Sequence, residues 1–218
     1  KNRVYYVAAP KASWIVKQAH SRVQIKERWW LDRKRIFAED ACIDVLRQFL
    51  PPEIIPESVI VDRTDFVLVT TSPPENAVLW EDDLSNGRID LQIAVQCGEL
   101  LATVHNETAE HPELKTMFKD TKAFEQLRIE PHYEYVTNSF PDLKKVIDAQ
   151  TKRLKKETYA LVLADLRPRN VWINSGQLYI VDFSTAHFGH PGFDLAFYAA
   201  DMCVKAMQNS IQKAAYLE

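Results

Sequence analysis

Glycine, cysteine and long apolar runs are all scarce in this chain. Five glycines among 218 residues is a low count, and no glycine-rich loop is visible. The three cysteines, Cys42, Cys97 and Cys203, are far apart and odd in number, which argues against a disulfide framework and for a reducing cytosol. No Cys/His cluster has the spacing of a zinc site. No apolar run approaches the roughly 20 residues that span a bilayer, and Lys1–Val7 lacks a signal-peptide layout.

Neither sign of charge is in excess. Twenty-seven Lys and Arg residues against 30 Asp and Glu residues give a net charge of -3, so nothing points to nucleic acid or an anionic membrane as a partner. A hydrophobic content of 46% is typical of an ordinary soluble globular protein. The length suits one domain or two closely packed lobes around a sizeable core.

The first part of the chain is rich in predicted strands. Val4–Val7 and Ser13–Lys17 are predicted to form a hairpin, because apolar residues alternate on each side of a proline-containing turn. Asp32–Phe49 has helical periodicity and stops before two prolines. Val59–Asp62 and Asp65–Thr70 are predicted to form a second strand pair.

A proline-rich break at Pro73-Pro74 marks the predicted lobe junction, which divides the chain into residues 1–72 and 73–218. The predicted helices downstream are Leu91–Asn106, Lys122–Leu127, Asp142–Glu157 and one that begins at Asp194, and the predicted strands are Tyr159–Leu163, Val171–Ile173 and Gln177–Val181. Asp90 is a suitable N-cap for the first of these helices. Gly98 inside that helix costs about 1 kcal/mol relative to Ala, and we expect close helix packing to be its reason. Because strands and helices segregate along the chain, the fold class is α+β.

Three polar residues at strand ends carry the chemistry. An apolar strand leads into Asp165, Asn170 follows five positions later, and the next hairpin ends at Asp182. Taken singly, each acid is an ordinary loop residue beside a buried strand. Together they match phosphoryl transfer, which needs a carboxylate to orient a hydroxyl and accept its proton, and oxygen ligands for magnesium.

This spacing resembles the aminoglycoside phosphotransferase superfamily, which includes choline kinases and methylthioribose kinase. Its signature is H-G-D-x-x-x-x-N, a hydrophobic hairpin, and an Asp on the next strand end; residues 180–196 are similar to its I-D-[FW]-E-x-A-x-x-G-D-P-x-x-D-L-A segment. The resemblance implies a protein-kinase-like bilobal fold and ATP-dependent phosphorylation of a small-molecule hydroxyl. It implies that Asp165 is the catalytic base, that Asn170 and Asp182 hold Mg2+, and that Asp194 is structural, capping its helix.

The segment 14–19 is similar to the V-x-K-Q-A motif of methylthioribose kinase. The resemblance implies that Lys17 grips the ATP phosphates and pairs with a helix glutamate. Glu39 is the best-placed acid, and Glu27 is a weaker rival. Without the resemblance, Lys17 is an exposed strand lysine and Glu39 belongs to a solvated helix face.

The resemblance also implies a nucleotide hinge and a phosphate-binding cation. The strand with Val69, Thr70 and Thr71, followed by two prolines, is similar to the hinge that contacts adenine through backbone groups. Arg167 lies where protein kinases place a lysine near the transferred phosphate. It either stabilises phosphate charge or pairs with Asp165.

The chain departs from the family pattern at several points. Leu163 and Ala164 replace the family histidine and glycine before the catalytic Asp. Leucine packs but cannot donate a hydrogen bond, so an active enzyme requires Leu163 to be buried in a core that holds the loop. Ser184 and His190 replace a Glu and an Asp, and the chain begins about where a glycine-rich phosphate loop would end.

These features leave two hypotheses for the function: an ATP-dependent small-molecule kinase, or a non-catalytic kinase-like nucleotide-binding or scaffold protein. The acceptor and the oligomeric state stay open.

Overall fold

A computed structural model describes residues 2–21, 30–109, 111–208 and 214–216. Its strands are β1 (Asn2–Ala9), β2 (Ala12–Ala19), β3 (Ser58–Asp62), β4 (Val67–Thr71), β5 (Val78–Leu79), β6 (Ala160–Val162), β7 (Val171–Asn174), β8 (Gln177–Ile180) and β9 (His187–Gly189). Its α-helices are α1 (Arg35–Leu46), α2 (Trp80–Ser85), α3 (Leu91–Thr108), α4 (Pro112–Met117), α5 (Lys122–Phe124), α6 (Tyr135–Ser139), α7 (Lys144–Lys156) and α8 (Gly192–Gln208). A π-helical segment spans Glu125–Glu134, and 3-10 turns lie at Pro52–Ile54, Pro141–Leu143 and Pro168–Asn170.

The N-terminal sheet is antiparallel and has the strand order β1-β2-β4-β3. Helix α1 packs on this sheet through Ile36, Ile43 and Leu46, all fully buried. Glu39 stands three positions after Ile36 and four before Ile43, so it lies on the same helix face and is carried into the interior. The periodicity that builds the core therefore also places one carboxylate inside it.

The C-terminal part is organised around α3. Asp90 caps this helix by accepting a hydrogen bond from the backbone N–H of Gln92 at 2.9 Å, as its position in the sequence predicts. Around it lie two small sheets, one of β5, β7 and β8 and one of β6 and β9. The β7–β8 hairpin turns through Ser175 and Gly176, whose φ angles of 52° and 79° suit a tight two-residue turn.

Two hydrophobic clusters stabilise the fold. The larger one joins both parts of the chain, since it includes Ile36 and Leu68 from the N-terminal part and Leu101 and Leu161 from the C-terminal part. The smaller one packs the π-helical segment against the residues before Asp165; its buried members are Phe124, Ile129, Val162, Ala164 and Phe193.

The sheet-rich first part and the mainly helical second part confirm the expected α+β class. The division into residues 1–72 and 73–218 stays a prediction. Gly98 is a correction: it is exposed, and no atom lies within 4 Å of where its Cβ would be, so close helix packing does not explain it. Within the described ranges no helix combines the length and the hydrophobicity needed to cross a bilayer.

Candidate active site

A buried ion pair joins β2 to α1. Lys17 Nζ lies 2.5 Å from Glu39 Oε1, and the two residues are 8% and 1% exposed. Burial by itself lowers the pKa of Lys17, but the carboxylates of Glu39 and Asp182 outweigh that effect and the pKa is raised. Lys17 is therefore held as a cation. Glu27, the rival candidate, lies outside the described residues.

Asp165 is held between two arginines. Arg128 Nη2 lies 2.7 Å from Asp165 Oδ2, and Arg167 Nε lies 2.8 Å from Asp165 Oδ1. Both guanidinium groups also lie over the ring of Phe197, at 5.0 Å and 5.3 Å from its centroid. Arg167 has a more distant acidic neighbour in Asp201, at 4.0 Å. Of the two roles expected for Arg167, the structure shows the pairing with Asp165.

The loop before Asp165 is held by hydrogen bonds between its backbone and the side chains of Asp194 and Thr185. Both oxygens of Asp194 accept hydrogen bonds from it, Oδ2 from the N–H of Leu163 at 3.0 Å and Oδ1 from that of Ala164 at 2.6 Å. His105 Nε2 also contacts Asp194 Oδ2 at 2.9 Å, and Thr185 Oγ1 donates to the carbonyl of Leu163 at 3.1 Å. The Asp194 carboxylate thus holds this loop, where the sequence led us to expect a helix cap. Leu163 is 3% exposed and lies in the larger hydrophobic cluster, as an active enzyme requires.

Asn170 and Asp182 supply the remaining polar groups. Asn170 Nδ2 donates to the backbone carbonyl of Asp165 at 2.9 Å, which leaves the amide oxygen Oδ1 as an acceptor. Asp182 has a φ of 69°, in the left-handed region that aspartate tolerates better than most residues. Ser184 Oγ donates to Asp182 Oδ1 at 2.9 Å. Carboxylate and amide oxygens are the ligands that a hard divalent cation prefers, so this donor set fits one.

Three of the predicted residues share one cavity. The cavity has a volume of about 200 Å³ and is lined by Asn2, Val4, Lys17, Arg35, Leu127, Arg128, Asp165, Asp182 and Ser184. The phosphate-binding candidate Lys17 therefore faces the base candidate Asp165 and the metal-ligand candidate Asp182 across a single space. Glu39, Arg167 and Asn170 reach it indirectly, since each contacts one of these residues.

The hinge candidates lie elsewhere. Val69 and Thr70 are in the middle of the sheet, where β4 pairs with β2 on one side and β3 on the other. The N–H of Thr71 donates to the carbonyl of Glu57 at 3.0 Å. Because the sheet already uses these backbone groups, none of the three residues is shown to contact a nucleotide, and their role in binding adenine stays a prediction.

Two buried arginines were not predicted from the sequence. Arg128 is 1% exposed, and its signal is a charged residue between two apolar ones, Leu127 and Ile129. Arg35 is 3% exposed, and its Nη2 donates to Asn2 Oδ1 at 2.6 Å. It lies in a basic run typical of a solvated surface, so its sequence context conceals its burial.

Comparisons with solved structures define the class of fold. An amicoumacin kinase in complex with AMP-PNP, Ca2+ and Ami matches with a TM-score of 0.65 at 19% identity, covering 100% of this chain and 68% of that one. A macrolide 2'-phosphotransferase from Brachybacterium faecium matches with a TM-score of 0.57 at 16% identity, covering 99% and 71%. The fold is therefore kinase-like.

The family follows from the sequence match. Residues 1–217 match the model of the phosphotransferase enzyme family, and the chain belongs to that family. Methylthioribose kinase of Bacillus cereus is 26% identical over an alignment that covers 99% of this chain and 61% of the relative. The chain thus spans less than two thirds of the length of the curated relatives it matches.

Proposed function

We propose that this chain forms the ATP-binding and catalytic part of a kinase that phosphorylates a hydroxyl group of a small molecule. The observation that carries the proposal is the cavity shared by Lys17, Asp165 and Asp182. It combines a fixed cation, a carboxylate held by a rigid loop and a second carboxylate, which are the parts that phosphoryl transfer requires. Membership of the phosphotransferase family supports the same conclusion.

Each part has a role in this proposal. Lys17, fixed by Glu39, binds the ATP phosphates, and Arg35 adds a second buried cation in the same cavity. Asn170 and Asp182 are the residues that would hold Mg2+, which when bound neutralises phosphate charge. Adenine lies beside the end of β4, where Thr71 leads into the segment of Pro73 and Pro74.

The proposed transfer step uses Asp165 as the general base. The acceptor oxygen attacks the terminal phosphorus of ATP, an O–P bond forms, and the bond to the ADP oxygen breaks. Asp165 orients the acceptor hydroxyl and takes its proton. For this, Arg167 has to leave Asp165 Oδ1; it then faces the transferred phosphate, where a guanidinium stabilises negative charge.

The pairing of Asp165 favours a second candidate function. Both of its oxygens are ion-paired in this structure, at 2.7 Å and 2.8 Å, so an acceptor hydroxyl has to compete with an arginine for either oxygen. If Arg167 never leaves, the chain is a non-catalytic nucleotide-binding protein.

ADP release from ATP and Mg2+ distinguishes the two functions. The assay compares hydroxyl acceptors, beginning with methylthioribose because a relative carries that name. Acceptor-dependent turnover that falls about 100-fold or more in Asp165→Asn indicates a kinase, since a general base contributes at least that much. The control is Asp148→Asn, which alters an exposed carboxylate on α7. ATP binding without turnover for any acceptor would favour the non-catalytic function.

A further inference from the structure

Arg128 is buried at a position where an arginine loses its hydration, which costs folding free energy. It lies in the π-helical segment with 1% of its surface exposed, and burial lowers its pKa because the charged form loses water. A buried ion pair is often no more stabilising than apolar side chains of the same volume. Packing therefore does not explain the residue, and an unbranched apolar side chain such as methionine would fill the space.

The contacts of Arg128 converge on Ala164 and Asp165. Its Nε donates to the carbonyl of Ala164 at 2.6 Å, and its Nη2 pairs with Asp165 Oδ2 at 2.7 Å. Its Nη1 donates to the carbonyl of Leu127 at 2.8 Å, which fixes the guanidinium on its own helix. One planar guanidinium thus donates a hydrogen bond to the backbone of one loop residue and forms an ion pair, without a hydrogen bond from Nη2, with the side chain of the next.

The two arginines on Asp165 differ in how firmly they are held. The side chain of Arg167 is 11% exposed, and its described ion pairs are all to carboxylates, at 2.8 Å and 4.0 Å. Arg128 is 1% exposed and bound to two backbone carbonyls as well. Arg167 is therefore the partner that can move away from Oδ1, and Arg128 keeps its hold on Oδ2.

We propose that Arg128 is a positioning residue for the phosphoryl transfer proposed above, and that it supports the loop of Leu163 and Ala164 that leads to Asp165. It fixes Asp165 Oδ2 so that Oδ1 is the oxygen that receives the acceptor proton. This inference rests on the proposed function for its catalytic part. Its structural part, the support of the loop, is independent of turnover.

The test compares Arg128→Met and Arg128→Lys with a control, Arg153→Met, which removes an exposed arginine from α7. We expect kcat to fall about 100-fold in Arg128→Met, because a displaced catalytic group costs that much, while the KM for ATP stays near the control value. Arg128→Lys retains the charge and should recover part of kcat. If Arg128 served only the fold, its loss would not lower kcat while leaving the KM for ATP unchanged.

Hydrogen exchange at the backbone N–H groups of Leu163 and Ala164 provides a second readout that needs no acceptor. We expect faster exchange at both positions in Arg128→Met than in Arg153→Met. If the wild type shows no turnover, the proposed function fails and exchange alone decides the support of the loop. If Arg128→Met does not fold, Arg128→Lys carries both measurements. Unchanged kcat, or unchanged exchange when the wild type is inactive, would overturn the inference.

Discussion

Two residues at or next to the site have a left-handed backbone conformation. They differ in how well their side chains tolerate it. Asp182 has a φ of 69° and Ala164 a φ of 58°. Aspartate visits this region readily, whereas a Cβ next to the following carbonyl costs alanine about 1–2 kcal/mol. Ala164 holds the conformation because its N–H binds Asp194 and its carbonyl binds Arg128. Strain of this kind is kept where the surroundings fix a functional group.

We therefore predict that Ala164→Gly is nearly neutral for stability. The change loses a buried methyl group and adds backbone entropy to the unfolded chain, but it removes the left-handed strain. The matched control is Ala160→Gly in β6, which is equally buried but has no positive φ to relieve. Urea unfolding should show the control variant less stable than Ala164→Gly by about 1–2 kcal/mol. Equal losses in the two variants would mean that Ala164 is not strained.

At the scale of elements, long segments with a periodic apolar pattern could be predicted from the sequence. Short elements that form only through contacts with distant parts of the chain could not. Helix α3 agrees with its prediction because a stripe of apolar residues and a capping Asp90 both mark it. Strand β9 has three residues and depends on pairing with β6, so no local pattern marks it. Pro131 is typical of a helix break, yet it lies within a π-helical segment.

The site divides in the same way. Lys17, Asp165 and Asp182, which line one cavity, could be selected from the sequence because they stand in motifs that resemble those of a known family, and their roles stay predictions. Arg128 comes from a distant helix and meets Asp165 only through the folding of that helix onto the loop. Its role depends on a contact, and one sequence by itself contains no record of contacts.

Gly98 gives an element-scale prediction for α3. Glycine inside a helix is less favourable than alanine by about 1 kcal/mol, and open space surrounds the position of its absent Cβ. Gly98→Ala should stabilise the protein by about that amount, measured by urea unfolding with an unchanged m-value. A destabilised variant would indicate that the chain needs the space or the flexibility at this position.

The pair that joins β2 to α1 gives a second prediction. Lys17→Met should destabilise the protein by about 3–5 kcal/mol, because it leaves the Glu39 carboxylate buried without its cation. Lys17→Met combined with Glu39→Leu should recover most of that loss, since both charges are then absent. Neither variant should bind ATP with wild-type affinity. A double variant that regains ATP affinity along with stability would show that Lys17 serves the fold alone.

At the scale of the whole molecule, the cavity lies between parts that share one hydrophobic cluster. Lys17 and Arg35 belong to the sheet-rich part, and Asp165 and Asp182 belong to the helical part. A ligand in this cavity contacts both parts, and their shared core couples its binding to unfolding of the whole chain. Ligand binding should therefore raise the melting temperature of a single transition.

ATP with Mg2+ tests this expectation and the metal ligands together. A ligand present at 100 times its Kd stabilises a protein by about 2.7 kcal/mol, which in a chain of this size raises Tm by about 5–10 °C. We expect a rise of this order in the wild type and in Asp148→Asn, and a smaller rise when Mg2+ is replaced by a chelator.

In Asp182→Asn the part of the Tm rise that depends on Mg2+ should be lost, because the amide lacks the charge that attracts the cation. Asparagine is the better substitute here, since it tolerates the left-handed backbone of Asp182 and alanine would add strain. An Mg2+-dependent rise that persists in Asp182→Asn would place the metal on other residues.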